Sequence, residues 1–202
     1  MIELNNITIE TREPILVGCS YTFYDNTIYG LIAQNGSGKT TLFRAMTNLI
    51  KVKEGSILYD NLPMEKVKQD VFYFESSDWF DGNLNGMDYL RFVKAAWKSS
   101  VNIDDIIRYW KMSEYIKVPI KKYSLGMKQR LLISLYMISD AKYMIMDEIT
   151  NGLDQDSREH FFAWLTDVKK NKTIILSSHY KDELACSCDT LLFIKKWSLY
   201  GE

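Results

Sequence analysis

Cysteine and histidine are scarce in this chain of 202 residues, and no long apolar run occurs in it. The three cysteines, Cys19, Cys186 and Cys188, are too few for a disulfide framework and fit a reducing setting. Cys186-x-Cys188 lacks the second ligand pair of a zinc site and reads as ordinary packing. No apolar stretch approaches the ~20 residues that span a bilayer. The longest, Leu131 to Ile138, contains Ser134 and Tyr136 and reads as a core helix. The chain is not expected to form a membrane pore by itself. Met1-Ile2-Glu3-Leu4-Asn5-Asn6 has neither the basic start nor the apolar centre of a signal peptide. Neither sign of charge dominates: 25 basic residues face 26 acidic ones, a net charge of −1. No nucleic-acid partner is expected from that balance. Internal repeats, low-complexity linkers and heptads are absent too. A length of 202 residues with 47% hydrophobic content suits one domain with a small insertion.

What the chain does carry is Asn35-Gly36-Ser37-Gly38-Lys39-Thr40-Thr41, between the apolar run Ile28 to Ile32 and Leu42-Phe43-Arg44-Ala45-Met46. That pattern predicts strand, glycine loop and helix. Such a loop turns successive N–H groups inward as a nest for anionic oxygens, and the helix start adds unpaired N–H groups and partial positive charge. Lys39 has the reach for outer phosphates, and the Thr40 hydroxyl suits Mg²⁺. The ligand expected is a nucleoside triphosphate with magnesium, bound by Asn35, Gly36, Ser37, Gly38, Lys39, Thr40 and Thr41. Ala33 stands where the full pattern has a glycine, six residues before the lysine.

Alternation predicts strands over Leu4 to Ile9 and Ile15 to Phe23, and apolar runs predict Ser56 to Tyr59 and Val71 to Phe74. Helical spacing is expected from the phosphate loop to about Ile50, over Met87 to Lys98 and over Ile103 to Met112, with Asn102 as a cap. Strands at 143–146, 173–176 and 190–194 then alternate with helices at 127–139, 156–169 and 182–186. This order argues for an α/β fold with a mainly parallel sheet covered on both faces. The segment from about Ser76 to Tyr123 reads as a helical insertion.

Tyr143-Met144-Ile145-Met146 ends in Asp147-Glu148. A buried strand ending in two acids places them at the carboxyl edge of the sheet, where open α/β sheets bind ligands. Asp147 is expected to hold Mg²⁺ beside Thr40, and Glu148 to orient and deprotonate an attacking water. His179, after the apolar run Ile174-Ile175-Leu176, is expected near the γ-phosphate. His160, inside a helix, reads as structural.

These elements, with Tyr123-Ser124-Leu125-Gly126-Met127-Lys128-Gln129-Arg130 between them, follow a set order. The chain resembles the nucleotide-binding subunits of ATP-binding cassette (ABC) transporters over essentially its whole length, Ile2 to Gly201. The resemblance implies a P-loop NTPase of the ABC ATPase fold in one domain, 1–202. Residues 1–75 and 140–202 would form the ATP-binding core, with an antiparallel β subdomain, and 76–139 the helical subdomain. Ser124-Leu125-Gly126-Met127-Lys128-Gln129-Arg130 corresponds to the family's signature segment, usually Ser-Gly-Gly-Gln, a basic residue, Gln and Arg. Its Leu and Met variants look like exporters of antibiotics and bacterial peptides. Thr150-Asn151-Gly152-Leu153-Asp154 resembles the D-loop.

By that resemblance the chain is an ATPase powering transport through a separate integral-membrane permease, on the cytoplasmic face of the membrane. Two ATPase subunits, identical or paralogous, would sandwich two ATP molecules, Ser124 and Gly126 closing the site of the opposite subunit. Lys39, Glu148 and His179 would act in catalysis, with Mg²⁺ on Thr40 and Asp147.

Departures from the family pattern are specific. The glutamine expected after the strand at 71–74 is absent, with Ser76 at the best-aligned position and Glu75 before it. The first β-turn carries Arg12 but no aromatic to stack on adenine. Ile149 replaces a common proline. Trp79 and Phe80 lie in a polar loop, and two readings apply: a groove for a cytoplasmic helix of the permease, or burial within the insertion. Rival classes fit less well. Soluble ABC proteins of translation or DNA repair usually carry two cassettes or a long coiled coil. P-loop kinases lack the Ser-x-Gly-x-x-Gln-Arg segment, and Asn171-Lys172-Thr173-Ile174 lacks the acid of a guanine-reading motif.

Overall fold

A computed structural model describes residues 1–34, 36–178 and 181–201. Among these residues two sheets form. β1 (Ile2–Glu10), β2 (Pro14–Phe23), β4 (Glu54–Tyr59) and β5 (Leu62–Pro63) form an antiparallel sheet in the order β2-β1-β4-β5. The second sheet has six strands: β3 (Ile28–Ile32), β6 (Val71–Tyr73), β7 (Tyr143–Met146), β8 (Thr173–Ser177), β9 (Thr190–Lys195) and β10 (Ser198–Gly201). Its order is β10-β9-β3-β8-β7-β6, all neighbours parallel except the β9–β10 hairpin. The sequence pattern does not announce β5 or β10.

Side-chain alternation along β7 shows why that strand reads as continuously apolar. Met144 and Met146 point into one core, Tyr143 and Ile145 into the other, and all four are buried. A strand covered on both faces has no polar side to display. β8 divides likewise, Ile174 and Leu176 against Ile175.

Among the described residues, six α-helices complete the fold: α1 (Lys39–Met46), α2 (Gly86–Trp97), α3 (Ile103–Tyr109), α4 (Leu125–Ser139), α5 (Gln155–Val168) and α6 (Lys181–Ser187). Several begin on side-chain caps. Asn85, Asn102, Ser124 and Asp154 each accept a backbone N–H from the first turn. Two end earlier than apolar spacing predicts. α1 stops at Met46, not near Ile50, because Asn48 turns left-handed at φ 56°. The Leu49 and Asn48 amides then bond back to Arg44 and Ala45. α3 stops at Tyr109, not Met112, through the same closure at Lys111.

Residues from α2, α3 and α4 share one core with Phe80 and Ile116. Phe80 is buried and stacks on Phe74 with ring centroids 5.1 Å apart, whereas Trp79 is 54% exposed. The two aromatics therefore part company, and Phe80 is corrected from a groove candidate to a core residue. Cys188 packs on Gly30, where an added Cβ would lie 2.8 Å from its sulfur. Burial pushes the Cys188 thiol up to about 12, which marks it as inert packing, while Cys186 is exposed.

Candidate nucleotide site

Parallel register assembles the site. Leu31 of β3 lies beside Ser177 of β8, and Leu176 lies beside Met146 of β7. The ends of these three strands therefore meet at one edge, bringing the loop after β3 against Asp147 and Ser177. This is where ligands of open α/β sheets bind.

The loop itself is built on left-handed glycines. Gly36 has φ 79° and Gly38 φ 94°. Gly38 also admits no side chain, since a Cβ there would sit 2.3 Å from Ile15 Cγ2. Lys39 is buried, and its ammonium donates to the carbonyls of Ala33 (3.0 Å) and Gln34 (3.3 Å). Ala33, at the position the pattern gives to glycine, thus supplies a backbone acceptor that needs no particular side chain. The Ser37 hydroxyl oxygen is buried with no described hydrogen-bond partner. A buried hydroxyl at a helix-start nest suits an anionic ligand.

Asp147 sits between two hydroxyls. The Thr40 hydroxyl donates to Oδ2, and the Ser177 hydroxyl donates to Oδ1 at 2.6 Å. Burial raises the Asp147 carboxyl above its ordinary value, and the Ser177 and Thr40 hydrogen bonds oppose that shift. A carboxylate touching a threonine hydroxyl beside a phosphate nest is an all-oxygen donor set, the chemistry Mg²⁺ prefers. Thr40 and Asp147 therefore fit the metal expected of them.

Glu148 follows in left-handed backbone at φ 47°. That conformation is uncommon for a residue with a side chain and collects at functional sites. Its amide donates to Ser177 Oγ at 2.9 Å, and its carboxylate accepts from Asn151 Nδ2 at 2.9 Å. Ser177 thus aims both acids. Sequence reasoning assigned no role to Ser177 or Asn151, whose partners become visible only in three dimensions.

Two clefts open at this edge. One, of about 740 Å³, runs from the loop past Thr40 and Glu148 to Arg12, Ile15 and Trp197. The other, of about 430 Å³, joins Thr40, Asp147 and Glu148 to Glu75, Ser76 and Gln129. Neither is lined by Ser124 or Gly126. Ser124 is exposed and caps α4 by accepting the Met127 amide at 3.2 Å. The start of α4 is braced against the 149–154 loop. Gln129 Nε2 donates to the Ile149 carbonyl, Arg130 pairs with Asp154 at 2.8 Å, and Leu125 fills the space above Gly152. Thr41 lies in the first turn of α1 on the wall of the larger cleft. Asn35 and His179 lie outside the described residues.

A family model described as "ABC transporter" matches residues 16–151, spanning the phosphate loop, the Ser124 segment and the two acids. The chain belongs to the ABC transporter family. It is 32% identical to the ABC transporter ATP-binding protein YybJ of Bacillus subtilis (strain 168), over 95% of this chain and 91% of that protein. It is 30% identical to YhcH of the same organism, over 98% of this chain and 68% of that one. Among solved structures, an ATP-binding subunit of an ABC transporter superposes with a TM-score of 0.90 at 18% identity, covering 100% of this chain and 89% of the other. CbiO1 of Clostridium perfringens, described as part of the complex cbiONQ, gives 0.79 at 21% identity, over 98% and 86%. These likenesses establish the ABC ATPase fold, and the family membership makes the chain an ATP-binding ATPase subunit of a transporter.

Proposed function

We propose that two copies of this chain, or one copy and a paralogue, close around two ATP molecules and drive a separate integral-membrane permease. The observation that carries the proposal is the Thr40–Asp147–Ser177 cluster beside the Lys39 loop, with Glu148 next in the chain. Asn35, Gly36, Ser37, Gly38, Thr40 and Thr41 cradle the phosphates, with Lys39 on the β- and γ-phosphates. Thr40 and Asp147 would hold Mg²⁺, which when bound neutralises charge on the phosphate oxygens.

Glu148 takes a proton from water as the water oxygen bonds to the γ-phosphorus. The bond from that phosphorus to the bridging β–γ oxygen breaks, and ADP leaves with the bond's electrons. Asn151 holds the Glu148 carboxylate in place, supported by its 2.9 Å hydrogen bond. His179 steadies the γ-phosphate, a role resting on the family resemblance. Ser124 and Gly126 reach the ATP of the opposite subunit, consistent with the exposed Ser124 and its absence from both clefts of its own chain. Hydrolysis adds charge repulsion between the products and removes the bridge, so the pair opens.

The division into a core of 1–75 and 140–202 with a helical subdomain at 76–139 belongs to the same reading; α2, α3 and α4 pack together in a core that runs on into Phe72, Met144 and Ile174 of the six-stranded sheet. So does a peripheral place on the cytoplasmic face of the membrane. No described helix is long and apolar enough to cross a bilayer. The Leu125 and Met127 variants of the signature support a cargo of the antibiotic or bacterial-peptide class. The test is Glu148→Gln: ATP turnover should fall by about 10²–10⁴. Turnover at the parental rate would remove Glu148 as the base.

A further inference from the structure

The nucleotide cleft has an aromatic wall from an unexpected part of the chain. The β1–β2 turn offers Arg12 and no ring. On the same cleft, however, lies Trp197, at the tip of the β9–β10 hairpin. Lys195 pairs with Ser198, so Lys196 and Trp197 form a two-residue loop, and both have positive φ, 46° and 61°. Hairpin loops of that kind favour Asn-Gly or Gly-Gly, because a side chain resists left-handed backbone. A bulky aromatic there is an outlier. Its indole is 58% exposed.

The tip is anchored. The Trp197 carbonyl accepts the Val17 amide of β2 at 2.9 Å. Two residues earlier, Ile15 packs directly over Gly38 of the phosphate loop. Hairpin tip, start of β2 and phosphate loop are therefore successive walls of one cleft. Its basic residues, Arg12, Lys39, Lys195 and Lys196, outnumber its acids, Glu13 and Glu148. A charged floor and an exposed ring at the mouth suit a phosphorylated ligand with a planar aromatic end.

We propose that the indole of Trp197 stacks on the nucleobase of the bound triphosphate, with the Arg12 guanidinium at the same mouth. The proposal rests on the nucleotide reading above and adds to it the residue that recognises the base. A ring is replaced here by a ring from a different strand pair, which explains how the first turn does without an aromatic. The hairpin loop carries an energetically awkward residue because its ring is needed at that spot.

The experiment compares ATP with inorganic tripolyphosphate, which has the phosphates and no base. Parental protein, Trp197→Phe and Trp197→Leu are titrated with each by equilibrium dialysis. Trp197→Leu should weaken ATP binding by about 5- to 150-fold, the range of base–aromatic stacking. Trp197→Phe should recover most of that loss, since it keeps a π face. Tripolyphosphate should bind all three proteins alike. Circular dichroism checks the fold, and the Phe variant keeps the shape of the tip. Parental ATP affinity in the Leu variant would overturn the stacking role alone. Equal loss of ATP and tripolyphosphate would also overturn it, as the ring would then be shaping the phosphate cradle. A parental protein that binds neither ligand would overturn the nucleotide reading together with the stacking.

Discussion

The Glu75 carboxylate grips the Arg44 guanidinium through both oxygens, tying the segment that leaves β6 to the helix that follows the phosphate loop. Tyr73 adds a hydroxyl donor to the same carboxylate at 3.1 Å. Ser76, aligned with the missing glutamine, instead caps a short turn by accepting the Asp78 amide at 3.1 Å. Both Glu75 and Ser76 line the cleft that carries Thr40 and Asp147. An ion pair anchored on α1 therefore borders that cleft.

That pair has a pH signature. The Arg44 hydrogen bonds hold the Glu75 carboxyl below its ordinary value. A depressed carboxyl stabilises the fold above its unfolded pKa, and that contribution disappears as pH falls through the folded value. Glu75→Gln should therefore be less stable than the parent at pH 7 and equal to it at low pH, by denaturant midpoints. Arg44 is 43% exposed, so solvent screens the pair, and a double-mutant cycle should give a coupling of about 0.5–1 kcal/mol. A gap that stays constant down to pH 3 would show that the charge pair is not its source.

Ser177 is the hinge of the acid cluster. Its hydroxyl donates to Asp147 and accepts the Glu148 amide. Removing it takes one hydrogen bond from the buried Asp147 carboxylate and one from the half-buried Glu148 backbone. Ser177→Ala should cost about 1–3 kcal/mol in unfolding experiments. ATP turnover should drop with it, since both acids lose their alignment. A variant as stable and as active as the parent would mean that the two acids hold their places without the bridge.

The local setting of the site residues was legible in the sequence, and long-range pairing was not. Lys39 and Thr40 lie where a glycine loop meets a helix, and Asp147 and Glu148 where an apolar strand meets a loop, patterns contained within a few residues. Ser177 reaches Asp147 across thirty positions, only through the register of β7 and β8. Trp197 gives no local signal because its hairpin lacks the glycine or asparagine that announces a tight turn. The ends of α1 and α3 are hidden for a related reason. Apolar spacing continued through Ile50 and Met112, while the backbone had already turned at Asn48 and Lys111. Phe80 and Trp79 look alike in sequence, and only the fold separates core from surface.

Gly38 offers a sharper test of the cradle. At φ 94° an alanine is strained by about 1–2 kcal/mol, before its Cβ meets Ile15. Gly38→Ala should weaken ATP binding at least about tenfold, judged by the value of 1.4 kcal/mol per decade. Adding Ile15→Ala removes the collision and leaves the backbone strain. The double variant should therefore recover part of the affinity in a binding isotherm. Full recovery would assign the whole defect to Ile15, and none would assign it to the backbone.

Trp79 and Phe80 should give opposite results on truncation. Phe80 is sealed beneath Phe74 and Tyr89, so Phe80→Ala opens a cavity and should cost about 3–5 kcal/mol. Trp79 is 54% exposed and touches Phe74 only edge-on, at 6.3 Å between centroids. Trp79→Ala should change stability by less than about 1 kcal/mol. If the exposed indole faces the permease, the same variant should no longer copurify with membranes that retain the parent. Loss of binding with stability intact would separate a contact surface from a core. A large loss of stability in Trp79→Ala would instead return the ring to the packing of the insertion, and the docking face would have to lie elsewhere.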